Sequence, residues 1–222
     1  MHSRDVRRER LVQSAKRSFA DKGFHEASIS QIVRQAGIAR STFYQYFDSK
    51  LHLFQSILDA FLQDLEESIQ PISLAPGAQA SMAQLEDNLN RVLNLMLGER
   101  DLTQILLHHT GALDRTVLGR VEEFYEGAAE MIQRSLNQGI SMNLVRPCDT
   151  RLTSYCIIGA VKEVVFQLSS SQEQQPSVEE LTRNMLDFAM GGILVHSPNS
   201  FLGKVGRAKE PMTTPNSARP RE

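Results

Sequence analysis

A short polar and aromatic cluster near the N-terminus holds the residues best suited to contact nucleic acid. On a helical wheel Arg40, Ser41, Tyr44 and Gln45 fall within an arc of about 140°, given about 100° per residue. A guanidinium can bind the edge of a guanine, and a side-chain amide can bind an adenine, when a helix lies in a major groove. The pattern makes Arg40 and Gln45 candidate base readers.

Two short helices must position this cluster. Ser28 followed by Gln31 is typical of a capping box, which begins a helix over residues 28–35. Gly37 supplies a turn free of Cβ clashes, and a second helix then covers about residues 40–46. Phe43 and Phe47 are expected in the core. Two short helices around a tight turn match the helix-turn-helix plan.

Phosphate contacts are predicted beside this face. Ser28 and Ser30 lie at the start of the first of these helices, where free backbone amides and the helix dipole favour an anion. Tyr44, Tyr46 and Lys50 follow in step with Arg40, and together they favour nucleic acid over simple packing.

The charge of the chain is unevenly distributed. The net charge is only −2, but residues 1–50 hold ten Lys and Arg against five Asp and Glu. Residues 51–198 hold nine basic against nineteen acidic residues. Such asymmetry is typical of an anion-binding end on an acidic body.

Composition limits the remaining classes. Hydrophobic residues make up 41% of the 222-residue chain, and no run of about 18 apolar residues indicates a membrane span. The N-terminus lacks the apolar segment of a signal peptide. Only Cys148 and Cys156 are present, too few for a disulfide framework or a zinc site. We expect a cytoplasmic protein with no membrane partner, no metal and no cofactor.

Helical periodicity continues through most of the chain, and no strand pattern interrupts it. Pro71, Pro76 and Gly77 break it most clearly. Further helices are expected over 85–98, 101–111, 114–139, 149–169 and 176–195. The sequence predicts an all-α fold with a helix-turn-helix domain over 1–50, a helical domain over 51–196 and a disordered tail over 197–222.

The segment over residues 10–57 resembles the DNA-binding domain of the TetR (tetracycline-repressor-like) family of transcription regulators. The resemblance is carried by Ala15, Phe19, Lys22-Gly23-Phe24, Ser28-Ile29-Ser30-Gln31-Ile32, Ala36-Gly37-Ile38, Ser41-Thr42-Phe43-Tyr44-Gln45-Tyr46-Phe47, Lys50 and Leu53-Phe54. It is specific over the first quarter of the chain and weaker over the helical remainder.

The resemblance implies roles for individual positions. Those matching Ser28 and Ser30 contact phosphate, and Arg40, Ser41, Thr42 and Gln45 approach bases or nearby backbone. Tyr44, Tyr46 and Lys50 would grip phosphates. One position departs from the family pattern, since Ala39 stands where members commonly carry a capping Ser; its loss costs about 1 kcal/mol.

The resemblance also implies that the C-terminal part binds a small effector and dimerises. The last two predicted helices are more apolar than one buried face requires. Candidate dimer residues there are Ile157, Val161, Val164, Met185, Phe188 and Ile193. Candidate pocket residues are Met96, His108, Phe124, Tyr125, Met131 and Cys156. For each pocket residue, ordinary packing is the alternative, and for the dimer helices it is a monomer core.

These observations favour a ligand-responsive repressor that binds a palindromic operator in double-stranded DNA as a homodimer. A small molecule would release it. The alternatives are an all-helical enzyme and an interaction protein that does not bind DNA. We expect no enzyme, because no catalytic or phosphate-binding motif is found. Arg40, Tyr44 and Lys50 argue against the interaction protein.

Overall fold

The computed structural model describes residues 3–73, 79, 81–108, 115–171 and 175–193. Helices dominate these ranges, and the all-α prediction is confirmed. In chain order the helices are α1 (Ser3–Glu26), α2 (Ile29–Ala36), α3 (Arg40–Phe43), α4 (Lys50–Ser68), α5 (Ser81–Gly98), α6 (Arg100–His108), α7 (Arg115–Ser141), α8 (Thr150–Ser170) and α9 (Val178–Ile193).

Side-chain caps begin several of the described helices. The Ser28 hydroxyl accepts a hydrogen bond from the Gln31 amide, Ser49 from the His52 amide, and the Asp149 carboxylate from the Leu152 amide. These bonds satisfy amides that have no partner within their helix. The predicted capping box of α2 is only half formed, because the side-chain oxygen of Gln31 is buried without a hydrogen-bond partner.

Two boundaries differ from the predictions. The sequence predicts that the first helix ends near Lys22-Gly23, where glycine suits a positive φ. Gly23 is indeed non-helical (φ 75°, ψ 168°), but α1 continues beyond this kink with one more turn that reaches Glu26. The second difference concerns α3, which ends at Phe43, and residues 44–46 form turns instead. Backbone amides of Tyr46 and Phe47 still bond to the Phe43 carbonyl, so the predicted face is retained.

Aromatic packing holds the N-terminal helices together. The Phe19 and Phe24 rings of α1 each lie 5.0 Å from the ring of Phe54 on α4. Phe43 and Phe47 are 0% and 3% exposed, which confirms their prediction as core residues. The Ser14 hydroxyl of α1 donates to the Ile32 carbonyl of α2 over 2.9 Å. These contacts fix the turn between α2 and α3 relative to α1 and α4.

The remaining helices form a second packed group, which meets the first along α1 and α4. In this group α7 packs on α8, α5 on α9, and α6 on α8, while α1 packs on α6 and α4 on α5 and α7. Ion pairs cross both seams. Lys16 of α1 pairs with Glu99 at 2.8 Å, and Arg120 of α7 pairs with Glu66 of α4 at 3.0 Å.

Side-chain amides of α5 hold the extended segment that follows α4. Asn88 bonds to both the amide and the carbonyl of Gln70, at 2.8 and 2.7 Å. One helical turn away, Gln84 bonds in the same way to both backbone groups of Ser73, at 2.7 and 2.8 Å. The segment over residues 70–73 is therefore fixed to α5 through its backbone.

Three further expectations concern a membrane span, the C-terminal tail and a metal site. No described helix is long and apolar enough to cross a membrane. The tail predicted over 197–222 lies outside the described residues. No group of His, Cys, Asp and Glu within the described ranges could hold a metal ion.

Candidate nucleic-acid interface and ligand cavity

The end of the helix-turn-helix presents the polar face that the sequence predicted. Arg40, Ser41, Tyr44 and Gln45 are all exposed, whereas Thr42 and Tyr46 are half-buried. Tyr44 is 48% exposed, and its ring packs edge-on against the buried Phe43 ring, 5.2 Å away. The Tyr44 ring is thereby held at the surface by a buried aromatic neighbour. Because these side chains are already exposed, the face can contact a DNA groove without a change in α3.

The two predicted phosphate-binding serines lie beside this face. The guanidinium of Arg40 donates to the Ser30 hydroxyl over 3.1 Å, which joins α3 to the start of α2. Ser30 is exposed, and Ser28 is half-buried, where its hydroxyl caps α2. The structure therefore brings a cation, a hydroxyl and the positive end of a helix together at one surface.

The ammonium of Lys50, predicted to contact phosphate, forms hydrogen bonds within its own chain. Its ammonium donates to the carbonyls of Phe24, His25 and Ala27, at 2.6, 3.0 and 2.8 Å. It also lies 4.5 Å from the centre of the Phe24 ring. Partial burial lowers the pKa of Lys50, while the charge of Glu26 acts in the opposite direction. Each ammonium hydrogen is engaged by a carbonyl, so a bond to phosphate would replace one of these.

Ala39 forms no side-chain cap, as its residue type requires. It begins α3 with extended dihedral angles (φ −68°, ψ 145°), and no side chain bonds to the first amides of the helix. The Thr42 amide instead bonds to the Ala39 carbonyl at 2.9 Å. The departure from the family pattern is therefore tolerated by a helix of only four residues.

Comparison with known protein families identifies the domain that carries this surface. Residues 11–57 match the model of the bacterial regulatory proteins of the tetR family. The match covers α2, α3 and the turn between them, and it includes Ser28, Arg40 and Tyr44. Residues 11–57 therefore form a DNA-binding domain of the tetR family type. The chain is a DNA-binding transcription regulator.

Longer similarities agree with this family. The fatty acid metabolism regulator protein of Bacillus subtilis is 23% identical over 188 residues, which cover 82% of this chain and 93% of that protein. The ketosteroid transcriptional regulator KstR2 of Mycobacterium tuberculosis is 21% identical with a TM-score of 0.72, covering 86% of this chain and 96% of that chain.

A third similarity is to a regulator solved with its ligands. AibR, in complex with isovaleryl coenzyme A and operator DNA, is 16% identical with a TM-score of 0.67. The similarity covers 82% of this chain and 97% of that chain. The proteins similar to this chain are transcriptional regulators, which confirms the prediction that it is not an enzyme.

A cavity of about 140 Å³ lies between α4 and α7 of the regulator. Two of the predicted pocket residues, Phe124 and Met131, line it together with Ile69. Tyr125 is adjacent to Phe124 and half-buried between α7 and α8. Glu66 of α4 also lines the cavity, so its walls combine apolar side chains with one carboxylate.

Met96, Tyr125 and Cys156 do not line this cavity. Met96 is 5% exposed and belongs to the packed core. Cys156 is exposed at the surface of α8. The side chain of His108 lies outside the described residues.

The predicted dimer residues fall into two groups. Val161, Val164 and Met185 pack partly against the core of their own chain, and Ile157 is half-buried. Phe188 of α9, by contrast, is 79% exposed. The side chain of Ile193 lies outside the described residues.

Sequence reasoning missed the most exposed apolar residues of α8. Leu152 is 60% exposed and Tyr155 is 48% exposed. Cys156 and Gly159 are also exposed, so the four residues follow the i, i+3, i+4, i+7 spacing of one helix face. That spacing was the signal that could have found this face, which we call the outer face of α8.

Proposed function

We propose that the chain is a ligand-responsive repressor that binds a palindromic operator as a homodimer and is released by a small molecule. The exposed face of Arg40, Ser41, Tyr44 and Gln45, held on a buried aromatic base, is the observation that carries DNA recognition. Recognition helices of this kind read the major groove, and a dimer reads two successive grooves about 34–36 Å apart. The site of action would be the cytoplasm, where this DNA is accessible.

Within the interface we assign two kinds of contact. Arg40 and Gln45 would read base edges, with Ser41 and Thr42 beside them. Ser28, Ser30, Tyr44 and Tyr46 would contact phosphate, and Lys50 would support the surface through the end of α1. The helix-turn-helix domain would span 1–50 and the regulatory domain 51–196, with α4 beginning at the boundary.

Dimerisation through α8 and α9 is supported by what these helices leave exposed. Leu152, Tyr155 and Phe188 are large apolar side chains at the surface of an otherwise acidic half. Exposed apolar surface of this kind marks interaction sites in proteins. The predicted residues Ile157, Val161, Val164 and Met185 would then support the two helices from within, while Phe188 would contact the partner.

An acyl compound is the effector class that we propose. Two of the similar proteins are a fatty acid metabolism regulator and a regulator in complex with isovaleryl coenzyme A. The cavity lined by Phe124 and Met131 offers an apolar surface for such a group. Binding there would act on α4, which forms the opposite wall and continues from the DNA-binding domain.

The experiment that tests this function begins with selection of DNA. The full-length chain is incubated with genomic fragments, bound DNA is sequenced, and affinity for the recovered site is measured at several salt concentrations. We expect an inverted repeat and a steep fall of affinity with salt, because phosphate contacts release counterions. Binding no tighter than to random DNA at every salt concentration would overturn the proposal.

Two variants separate the assigned contacts. Arg40→Ala should relax the base preference at one position of each half-site, at a cost of about 1–3 kcal/mol for the preferred base. Tyr44→Ala should weaken binding to all sequences about equally. A uniform loss from Arg40→Ala would mean that its contact is to phosphate.

A further inference from the structure

Lys16 of α1 is the most buried cation among the ion pairs that the described residues form. Its ammonium lies 2.8 Å from Oε2 of Glu99, and its side chain is 13% exposed, compared with 31% for Arg120 and 70% for Arg134. Exposed ion pairs contribute little to stability, whereas a buried charge that loses its partner is costly. We therefore expect Lys16 to keep its contact with Glu99, which lies 83 residues further along the chain.

Glu99 is the residue between α5 and α6, and its backbone is bonded to both helices. Its amide donates to the Leu95 carbonyl over 3.0 Å, and its carbonyl accepts from the Thr103 amide over 2.9 Å. The buried Thr103 hydroxyl also donates to the Met96 carbonyl, 2.7 Å away. The carboxylate that binds Lys16 is thus carried by a joint that several hydrogen bonds hold in place.

Helix α6 is also bonded to the end of α8. The Gln104 side-chain amide donates to the Ser169 carbonyl over 3.1 Å, and the Arg100 guanidinium donates to the side-chain oxygen of Gln175 over 2.8 Å. Gln175 in turn donates to the Leu168 carbonyl of α8. Helix α6 therefore connects α1, which belongs to the DNA-binding half, with α8, which is one of the two proposed dimer helices.

The seam between α1 and α6 carries charges of both signs. Burial raises the pKa of Asp101 on α6, and so do the charges of Asp21 on α1 and of Glu99, whereas Arg17 and Lys16 act in the opposite direction. Loss of the Lys16 charge would therefore leave carboxylates on the two helices that repel each other. The angle between α1 and α6 depends on this cation for that reason.

We propose that Lys16 is a positioning residue, which through Glu99 sets the angle of the helix-turn-helix against α6 and α8 and thereby the half-site spacing that the dimer binds. This inference rests on the proposed dimer and its inverted repeat. Buried ion pairs can specify one arrangement instead of adding stability. Successive base pairs are about 3.4 Å apart, so a shift of a few ångströms between two recognition faces favours a different spacing.

The test measures binding of the full-length chain to three kinds of DNA duplex by fluorescence anisotropy. The first is the inverted repeat recovered by selection, and the second is the same repeat with one base pair inserted or deleted between its half-sites. The third carries a single half-site. The ratio of the affinities for the first and second kinds gives the spacing preference, and the third reports the reading face alone.

The variants are chosen to separate the pair from its two members. They are Lys16→Met, Glu99→Gln, the double variant and Lys16→Arg, which keeps the charge. Arg134→Met is the matched control, because it removes an exposed cation that pairs with Glu130 of its own helix. Circular dichroism checks that each variant is folded. If Lys16→Met does not fold, Glu99→Gln tests the pair alone, since its side chain is 39% exposed.

We expect Lys16→Met and Glu99→Gln each to reduce the spacing preference about tenfold, because residues in contact have coupling energies of this order. The double variant should lose no more than either single variant. Affinity for the single half-site should be unchanged, because none of these changes touches the reading face. Lys16→Arg and Arg134→Met should show the spacing preference of wild type.

Four results would overturn the proposal. An unchanged spacing preference in folded Glu99→Gln refutes the positioning role and leaves the proposed function standing. Equal losses on the full repeat and on the single half-site would assign the pair to the integrity of the DNA-binding half instead. Additive losses in the double variant would mean that Lys16 and Glu99 act separately. Failure of wild type to distinguish the native spacing from the altered ones refutes the proposed dimer on an inverted repeat, and this inference with it.

Discussion

The helix-turn-helix half and the regulatory half of the chain differ in the kinds of side chain that they expose. The helix-turn-helix half buries Phe19, Phe43 and Phe47 and turns outward only polar side chains and one tyrosine at its reading face. The regulatory half exposes Leu152, Tyr155 and Phe188 and leaves the Tyr125 hydroxyl unpaired. The first half therefore exposes a polar face suited to a charged polymer, whereas the second half leaves large apolar side chains at its surface and one buried hydroxyl without a partner among the described residues.

The largest effect on this comparison is expected from a charge at Phe188, the exposed apolar residue of α9. We expect Phe188→Glu to convert the protein from dimer to monomer and to weaken operator binding at least about hundredfold, because a buried unpaired charge opposes association. Light scattering after size exclusion gives the mass, and fluorescence anisotropy gives the affinity. Leu144→Glu, at a residue 50% exposed but outside these helices, is the matched control and should leave the mass unchanged.

The variant Lys50→Ala tests whether the hydrogen bonds of this ammonium stabilise the DNA-binding half. Lys50→Ala should lower the free energy of unfolding by about 2 kcal/mol, since a charged donor to backbone carbonyls is lost. The dependence of DNA affinity on salt should keep its slope, because no phosphate contact is removed. Urea unfolding and a salt series measure the two quantities.

Lys22→Ala provides the comparison for Lys50, because Lys22 is an exposed cation near the same end of α1. It should leave the free energy of unfolding nearly unchanged. A reduced salt slope in Lys50→Ala, with unaltered stability, would restore the phosphate contact that the family resemblance implies.

The N-termini of α2 and α3 offer a paired test with a smaller expected effect. Ser28→Ala removes a cap and should destabilise the chain by about 1 kcal/mol, whereas Ala39→Ser adds a hydroxyl at an uncapped start and should stabilise it by up to that amount. Chemical denaturation of both variants measures the difference. No gain from Ala39→Ser would mean that the backbone bond from the Thr42 amide already satisfies α3.

The seam between the two halves carries the smallest expected effect. Burial raises the pKa of Asp101, and the charge of Asp21 adds to this shift, so the fold favours the protonated carboxyl. The resulting stability is present below the ordinary pKa of 3.8 and is lost as the pH rises through the folded pKa. Asp101→Asn should therefore melt slightly above wild type at pH 7, and the difference should vanish near pH 4 or below. Asp64→Asn, at an exposed position, controls for loss of a charge.

Local sequence signals allowed the helix-turn-helix to be predicted. Ser28, Gly37 and the spacing of Phe43 and Phe47 act within one or two turns, and the structure keeps all of these features. The turn after Gly23 was missed because its helical continuation is stabilised by contacts from α4, including the Lys50 ammonium. Those acceptors lie 23 to 26 residues before Lys50, beyond the reach of any local pattern.

The candidate ligand site was harder to predict, for the same physical reason. Phe124 and Met131 lie on one face of α7 and were proposed as apolar pocket residues, but Glu66 of α4 and Ile69 after it, which also line the cavity, are more than 50 residues away in the sequence. Cys156 was misjudged because periodicity locates a face without saying whether that face points inward or outward.

The pairing of Gln84 and Asn88 with the segment over 70–73 has a practical consequence. The two amides hold residues 70 and 73 through backbone N–H and C=O groups, so this attachment depends on the main chain and not on the side-chain type at either position. Proline is excluded at both positions because it has no N–H to donate. A cysteine at position 70 can therefore carry a spin label or dye with the segment still attached to α5, and it gives up only the bond from the Gln70 side chain to the Glu67 carbonyl. Such a label would follow the segment that continues from Ile69, a residue of the cavity wall.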